Sequence, residues 1–165
     1  MSFGHVVAIV NPKSQNGALG RQWTDIARTL RQEMGAFEHR LTRGPGDATA
    51  LTREALHEGA DLVIAVGGDG TTHEVVNGFL ADDGSPVRAR AALGILPFGT
   101  GGDFRRSIGV PNDVTLAARI LKEGQRRMID VGRIEFSEGG RHGNTAALYF
   151  VNIASFGLGG LVDRI

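Results

Sequence analysis

The sequence contains no cysteine, two lysines, one tryptophan, one tyrosine and five prolines in 165 residues. Without cysteine there is no disulfide and no thiolate metal site, and the expected compartment is the cytoplasm. A charge excess of either sign is missing too. The 18 basic and 18 acidic residues cancel, which removes the general electrostatic basis for nucleic-acid binding, so no nucleic-acid partner is expected. No apolar run approaches the roughly 20 residues that a membrane-spanning helix requires. The first residues carry neither the basic start nor the long apolar core of a secretory signal. Apolar residues nevertheless reach 41%, which argues against a disordered chain.

Glycine is the residue in excess. There are 25, about twice the roughly 7% share usual in soluble proteins. They follow no G-X-Y period, so their places along the chain carry the information. Phe3–Val10, Phe37–Thr42, Asp61–Val66 and Ala92–Leu96 read as strands. The apolar run Leu62–Val66 suits a strand covered by helices on both faces. Phe37–Thr42 is less apolar and is placed nearer an edge. Between the strands, Trp23, Ile26, Ala27, Leu30 and Met34 form one helical face, closed by Gly35. Asp47 is read as the N-cap of a helix carrying Ala48, Leu51, Ala55 and Leu56, and Gly59 as its stop. Thr71 and Glu74 have the capping-box spacing for a helix with Val75, Val76, Phe79 and Leu80. A further helix is expected from about Asp113 to Lys122, stopped by Gly124.

This alternation predicts an α/β domain with a doubly wound, mostly parallel sheet and helices on both faces. Arg127–Phe136 and Ala147–Ile153 then read as two strands with no helix between them, a hairpin. The expected organisation is an α/β domain over 1–125 and the start of an incomplete β-rich domain over 126–165.

Three glycine-bearing loops, Asn11–Gly20, Gly67–Thr71 and Pro97–Asp103, each follow a predicted parallel strand. In open α/β sheets the ligand crevice lies at these strand ends. Glycine lets backbone N–H groups approach an anion, and a helix starting there adds its own donors. Several familiar motifs are absent. The lysines Lys13 and Lys122 fit no G-x-x-x-x-G-K-[ST] loop, there is no G-x-G-x-x-G, and His73-Glu74 is not followed by the second histidine of a zinc helix.

At these loops the chain resembles the diacylglycerol kinase catalytic domain, the family of bacterial diacylglycerol kinases, sphingosine kinases and ceramide kinases. The matching residues are Asn11-Pro12 with Gly17, then Gly67-Gly68-Asp69-Gly70-Thr71 running on to Glu74 and Asn77, then Pro97 to Phe104. Leu93–Leu96, Ile108–Pro111, Ile129–Gly132 and Phe150–Asn152 extend the likeness over nearly the whole chain. The second loop alone is shared with NAD kinases and phosphofructokinases; the Asn-Pro opening and the third loop favour the lipid kinases. One departure is Gly102, where the family commonly has asparagine.

The resemblance implies an NAD kinase/phosphofructokinase-like fold, ATP and Mg²⁺, and a lipid hydroxyl as acceptor: diacylglycerol or a related lipid, met transiently at a membrane surface. Carried over by position, Asn11, Lys13, Ser14, Gly17 and Thr42 would line the nucleotide. Gly67, Gly68, Gly70 and Thr71 would wrap the phosphates, with Thr100 closing the site and Glu74 either beside it or only capping a helix. Asp69 would hold Mg²⁺ or accept the lipid hydroxyl proton, with turn capping as its alternative role. Asp103 is a second carboxylate, equally suited to capping. Arg105 is read as meeting a phosphate or lying on a solvated helix face. Family members continue into a β-sandwich that is thought to supply further carboxylates. The chain is therefore expected to be part of a longer enzyme and inactive alone. An NAD kinase-like small-molecule kinase and a non-catalytic nucleotide-binding domain are the competing readings, and a homodimer is left open.

Overall fold

The computed structural model describes residues 3–99, 102–138 and 144–152. Eleven elements follow one another among them: β1 (Val6–Val10), α1 (Ala18–Met34), β2 (Glu38–Leu41), α2 (Asp47–His57), β3 (Leu62–Gly67), α3 (Asp69–Phe79), β4 (Ala92–Pro97), α4 (Asp103–Ser107), α5 (Val114–Glu123), β5 (Gly132–Glu138) and β6 (Asn144–Phe150). The first four strands form one parallel sheet in the order β2-β1-β3-β4. The less apolar β2 is indeed at an edge.

Strand alternation sorts the apolar side chains into two cores. Val7, Ile9, Val63 and Ala65 point to one face, against Ala48, Ala55 and Leu56 of α2 and Val75 of α3. Ala8, Val10, Leu62, Ile64, Val66 and Leu96 point to the other, against Leu19, Trp23, Ile26 and Leu30 of α1 and Ala117 and Ala118 of α5. Every residue of β3 is buried. The sheet is therefore doubly wound, with helices on both faces.

Several local expectations need correction. Helix α2 is capped by Gly46, and Asp47 is its first residue; the Asp47 carboxylate instead accepts the Arg43 N–H at 2.7 Å. Helix α3 begins at Asp69, with Gly68 as its N-cap and no side-chain cap, so Thr71 and Glu74 do not close the expected box. Leu80 falls just outside α3 as its C-cap residue. The hairpin also shifts: β5 begins only at Gly132 and pairs antiparallel with Asn144–Phe150. Residues 127–131 have no partner strand among the described residues, and Met128 is 99% exposed; β-propensity without pairing does not make a strand. The expected strand end Ile153 lies outside the described residues. The short helix α4 was not anticipated, since it runs for only five residues, too few to display a periodic face. By contrast, α5 lies where the spacing places it, Val114–Glu123, and the Asp113 carboxylate caps it by accepting the Leu116 N–H at 2.8 Å.

The sheet's lower end is tied by Asp61. Its carboxylate accepts from Gly4 N–H and His5 N–H, both at 3.2 Å, and from Arg88 Nη2 at 3.1 Å. The bond from Arg88, followed by the His5 amide, holds the Asp61 pKa below its ordinary 3.8. A lowered folded-state pKa stabilises the fold above the ordinary value and ceases to do so as pH falls through the lowered one. Asp61→Asn is therefore expected to lower urea-unfolding stability at about pH 7, with the gap from wild type narrowing towards about pH 3.

Candidate functional site

The chain leaves β1 towards β2 and leaves β3 towards β4, although β1 and β3 are neighbours. Their exit loops therefore diverge and open a crevice at the carboxyl ends of the strands. All three glycine loops meet there.

The first loop is fastened to the second through Asn11. Its backbone N–H donates to Val66 O at 3.0 Å, and its side-chain Oδ1 accepts the Lys13 N–H at 3.0 Å. Its Nδ2 donates to Thr71 Oγ1 at 3.2 Å. Ser14 is buried beside them. A Cβ on Gly67 would lie 2.4 Å from Thr71 Oγ1 and 3.1 Å from Ser14 Oγ, so this position admits no side chain. Gln15, Asn16 and Gly17 take φ of 50°, 53° and 80°. For the first two this is a left-handed conformation that ordinary residues avoid.

The second loop ends β3 and starts α3 with almost no intervening chain. The N–H groups of a first helical turn have no partner within the helix, and among the described residues no side chain caps those of α3. They form a donor set at the positive end of the helix dipole, suited to an anion. The third loop lies directly against this one. Phe98 N–H donates to Gly67 O at 2.7 Å, and a Cβ built on Gly99 would stand only 2.7 Å from Gly68 Cα. Asp69 bridges the same two loops, its Oδ2 accepting the Gly102 N–H at 2.8 Å.

Asn11, Ser14, Gly67, Gly68, Asp69 and Thr71 are thus drawn into one contact network by the fold. Gly70 has nothing within 4 Å of a would-be Cβ and lines an adjoining cavity of about 260 Å³ together with Asp69, Thr72, His73, Phe104, Phe150, Val151 and Asn152. Thr42 is buried at the end of β2, its N–H donating to Val10 O at 2.9 Å. Lys13 Nζ donates to the neighbouring Arg43 O at 3.3 Å. Gly17 caps α1, with Arg21 as its neighbour. Thr100 lies outside the described residues. Asp103 pairs with Arg106 on the exposed side of α4. Arg105 donates to Val110 O at 3.1 Å and lines the hollow formed by Gly67, Gly68, Asp69 and Gly102.

Glu74 faces away from this network. Its Oε2 accepts the Ala48 N–H of α2 at 3.1 Å, while Thr49 Oγ1 donates to Glu74 O at 2.8 Å. Since Gly46 has no side chain, Glu74 supplies the cap of α2 from another helix.

The residues whose roles the sequence did not disclose are Asn77 and Tyr149. Asn77 Oδ1 accepts the Tyr149 N–H, and Asn77 Nδ2 donates to Tyr149 O, both at 2.9 Å. A polar residue two places after the buried Val75 was the available signal, but its partner is 72 residues away.

The sequence model of the diacylglycerol kinase catalytic domain matches residues 5–134. The chain belongs to this family. A diacylglycerol kinase of Staphylococcus aureus is 34% identical over 149 residues, covering 90% of this chain and 42% of that protein. A crystal structure of a diacylglycerol kinase from Bacillus anthracis superposes with a TM-score of 0.62 at 32% identity, covering 82% of this chain and 43% of the other. The chain spans less than half the length of these relatives.

Replacing Glu74 by alanine removes the cap from α2 and leaves the part-buried Ala48 N–H without its partner. The expected loss is about 1 kcal/mol of stability, read from a lower urea midpoint at unchanged slope.

Proposed function

We propose that this chain is the ATP-binding part of a lipid kinase that transfers the γ-phosphoryl group of ATP to a lipid hydroxyl. Diacylglycerol or a related lipid would be the acceptor, and phosphatidic acid or its analogue the product. The observation that carries this reading is the meeting of three strand-end loops, the second and third at backbone contact through Gly68 and Gly99 and the first tied in by Asn11, beside the first turn of α3, whose N-cap is a glycine. Phosphoryl transfer asks a protein chiefly for positioning and charge stabilisation, and this arrangement offers closely approachable N–H donors. Membership of the family and the names of the relatives support the choice of acceptor class.

In this reading Asn11, Lys13, Ser14, Gly17 and Thr42 line the nucleotide, and the Gly67–Thr71 turn receives the phosphates, with Thr100 at its margin. The acceptor oxygen bonds to the γ-phosphorus, the bond to the bridging oxygen breaks, and ADP leaves. Asp69 either takes the hydroxyl proton or helps hold Mg²⁺. Mg²⁺, when bound, would neutralise charge on the phosphate oxygens. No group of three or more His, Cys, Asp or Glu suited to a metal is found among the described residues, whereas one carboxylate with phosphate oxygens is a normal Mg²⁺ arrangement. Residues 1–125 form the nucleotide-binding domain in this view, and the hairpin opens a β-rich domain over 126–165. Contact with the membrane would be transient and peripheral, as a lipid acceptor requires of such an enzyme; no helix among the described residues is long and apolar enough to cross a membrane.

The test is phosphorylation of diacylglycerol, ceramide, sphingosine and NAD in parallel by the full-length gene product with Mg²⁺ and ATP. Labelled lipid is expected; labelled NAD without lipid would overturn the proposal. Asp69→Asn keeps an amide oxygen for the Gly102 N–H, so the fold should persist while turnover falls by about a hundredfold or more. Near-normal turnover in that variant would remove Asp69 from the chemistry.

A further inference from the structure

The cavity beside Asp69 is built from two parts of the chain. Asp69, Gly70, Thr72 and His73 come from the start of α3, while Phe150 is the last residue of β6 and Val151 and Asn152 follow it directly. Among the described residues the β5–β6 hairpin forms a sheet separate from the main one. A two-stranded hairpin has little stability of its own in water, so the cavity wall depends on whatever holds β6 against α3.

Asn77 does this. It lies on the same helix, two turns beyond Asp69, and is 8% exposed. Its side-chain amide meets the Tyr149 backbone as a neighbouring strand would, accepting from the N–H and donating to the carbonyl, each at 2.9 Å. The Nδ2 also donates to His73 O at 2.8 Å. All three bonds engage an amide that is itself buried, and a single orientation of the side chain satisfies them together. The ring of Tyr149 is 6% exposed, and its hydroxyl donates to Ala81 O at 3.1 Å, just past the C-terminal end of α3. Strand β6 is thus secured at one residue, both through its backbone and through its side chain. The next three residues form the wall.

We infer that Asn77 is a positioning residue for the acceptor: by pinning Tyr149, it sets Phe150–Asn152 across the cavity from Asp69 without touching either substrate. This rests on the lipid-kinase reading for the identity of the acceptor. The phosphate-binding turn and the acceptor wall then share one rigid element, α3, and their separation is fixed by the helical rise between Asp69 and Asn77. Asn77 does not line the cavity, so its effect falls on placement of the acceptor and not on ATP affinity.

The experiment compares wild type, Asn77→Ala, Asn77→Asp and Tyr149→Phe in the full-length gene product. Asn77→Asp keeps the size and the acceptor for Tyr149 N–H but loses both donated bonds. Tyr149→Phe keeps the ring and loses only the hydroxyl contact. Amide hydrogen exchange, affinity for an ATP analogue, and lipid phosphorylation are measured on each. Both Asn77 variants are expected to exchange faster over 144–152, with 67–72 unchanged. Their kcat/KM for lipid should fall by about tenfold or more, with affinity for the ATP analogue within about twofold of wild type, and Tyr149→Phe should lie between them and wild type. Unchanged exchange over 144–152, or faster exchange with undiminished lipid kinetics, overturns the inference. So does a parallel loss of ATP affinity and thermal stability, which would make Asn77 merely structural. A wild-type protein that binds ATP but phosphorylates no lipid is a separate result: it defeats the kinase reading and any acceptor role with it.

Discussion

Backbone against backbone, Gly68 and Gly99 come closer than any pair of side-chain-bearing residues could at this place. A Cβ on Gly99 would be 2.7 Å from Gly68 Cα, inside van der Waals contact. The rest of the site follows from this approach. It brings the ends of β3 and β4 together, lets Phe98 N–H reach Gly67 O, and sets Gly102 N–H on the Asp69 carboxylate. The same exclusion acts at Gly67, where Thr71 and Ser14 occupy the space a side chain would need. Main chain is therefore brought to the crevice alongside the Asn11, Asp69 and Thr71 side chains, and main-chain N–H groups are what an extended anion can meet in number.

The scaffold that holds this approach is the double burial of β3. Its alternate residues enter two separate cores, one under α2 and α3 and one under α1 and α5. Burying both faces specifies the strand's register, since a slip by one residue would exchange the two sets of side chains. Helix α3 inherits that placement at its first turn and transmits it along its length. One of its side chains, Glu74, caps α2, and another, Asn77, holds β6. A single helix thus joins the Gly67–Thr71 turn, the neighbouring helix and the hairpin.

Much of this architecture was legible in the sequence because the signals are local. Five consecutive apolar residues, Leu62–Val66, announce a strand buried on both sides, and the 3.6-residue spacing from Trp23 to Met34 announces α1. Glycines after apolar runs mark the strand ends. The errors arose where a local rule competed with tertiary partners. Thr71 and Glu74 have capping-box spacing, yet Thr71 Oγ1 accepts from Asn11 and Glu74 reaches α2. Asp47 has the chemistry of an N-cap, yet it turns back to Arg43 and leaves Gly46 in the capping position. Residues 127–131 include Met128, Ile129 and Val131, strand-compatible residues, but no neighbouring strand among the described residues offers them a ladder.

By itself the sequence determined the order of strands and helices, the three strand-end loops and the concentration of glycine in them, because each depends on residues adjacent in the chain. Its excess of glycine also implied that backbone would be exposed to a ligand. Only the tertiary structure decided which loops touch, that Asp69 bridges two of them, that Glu74 serves a different helix, and that Asn77 clasps Tyr149 across 72 residues. Those pairings depend on strand order and on the space left between packed elements, and neither is written in the spacing of neighbouring residues.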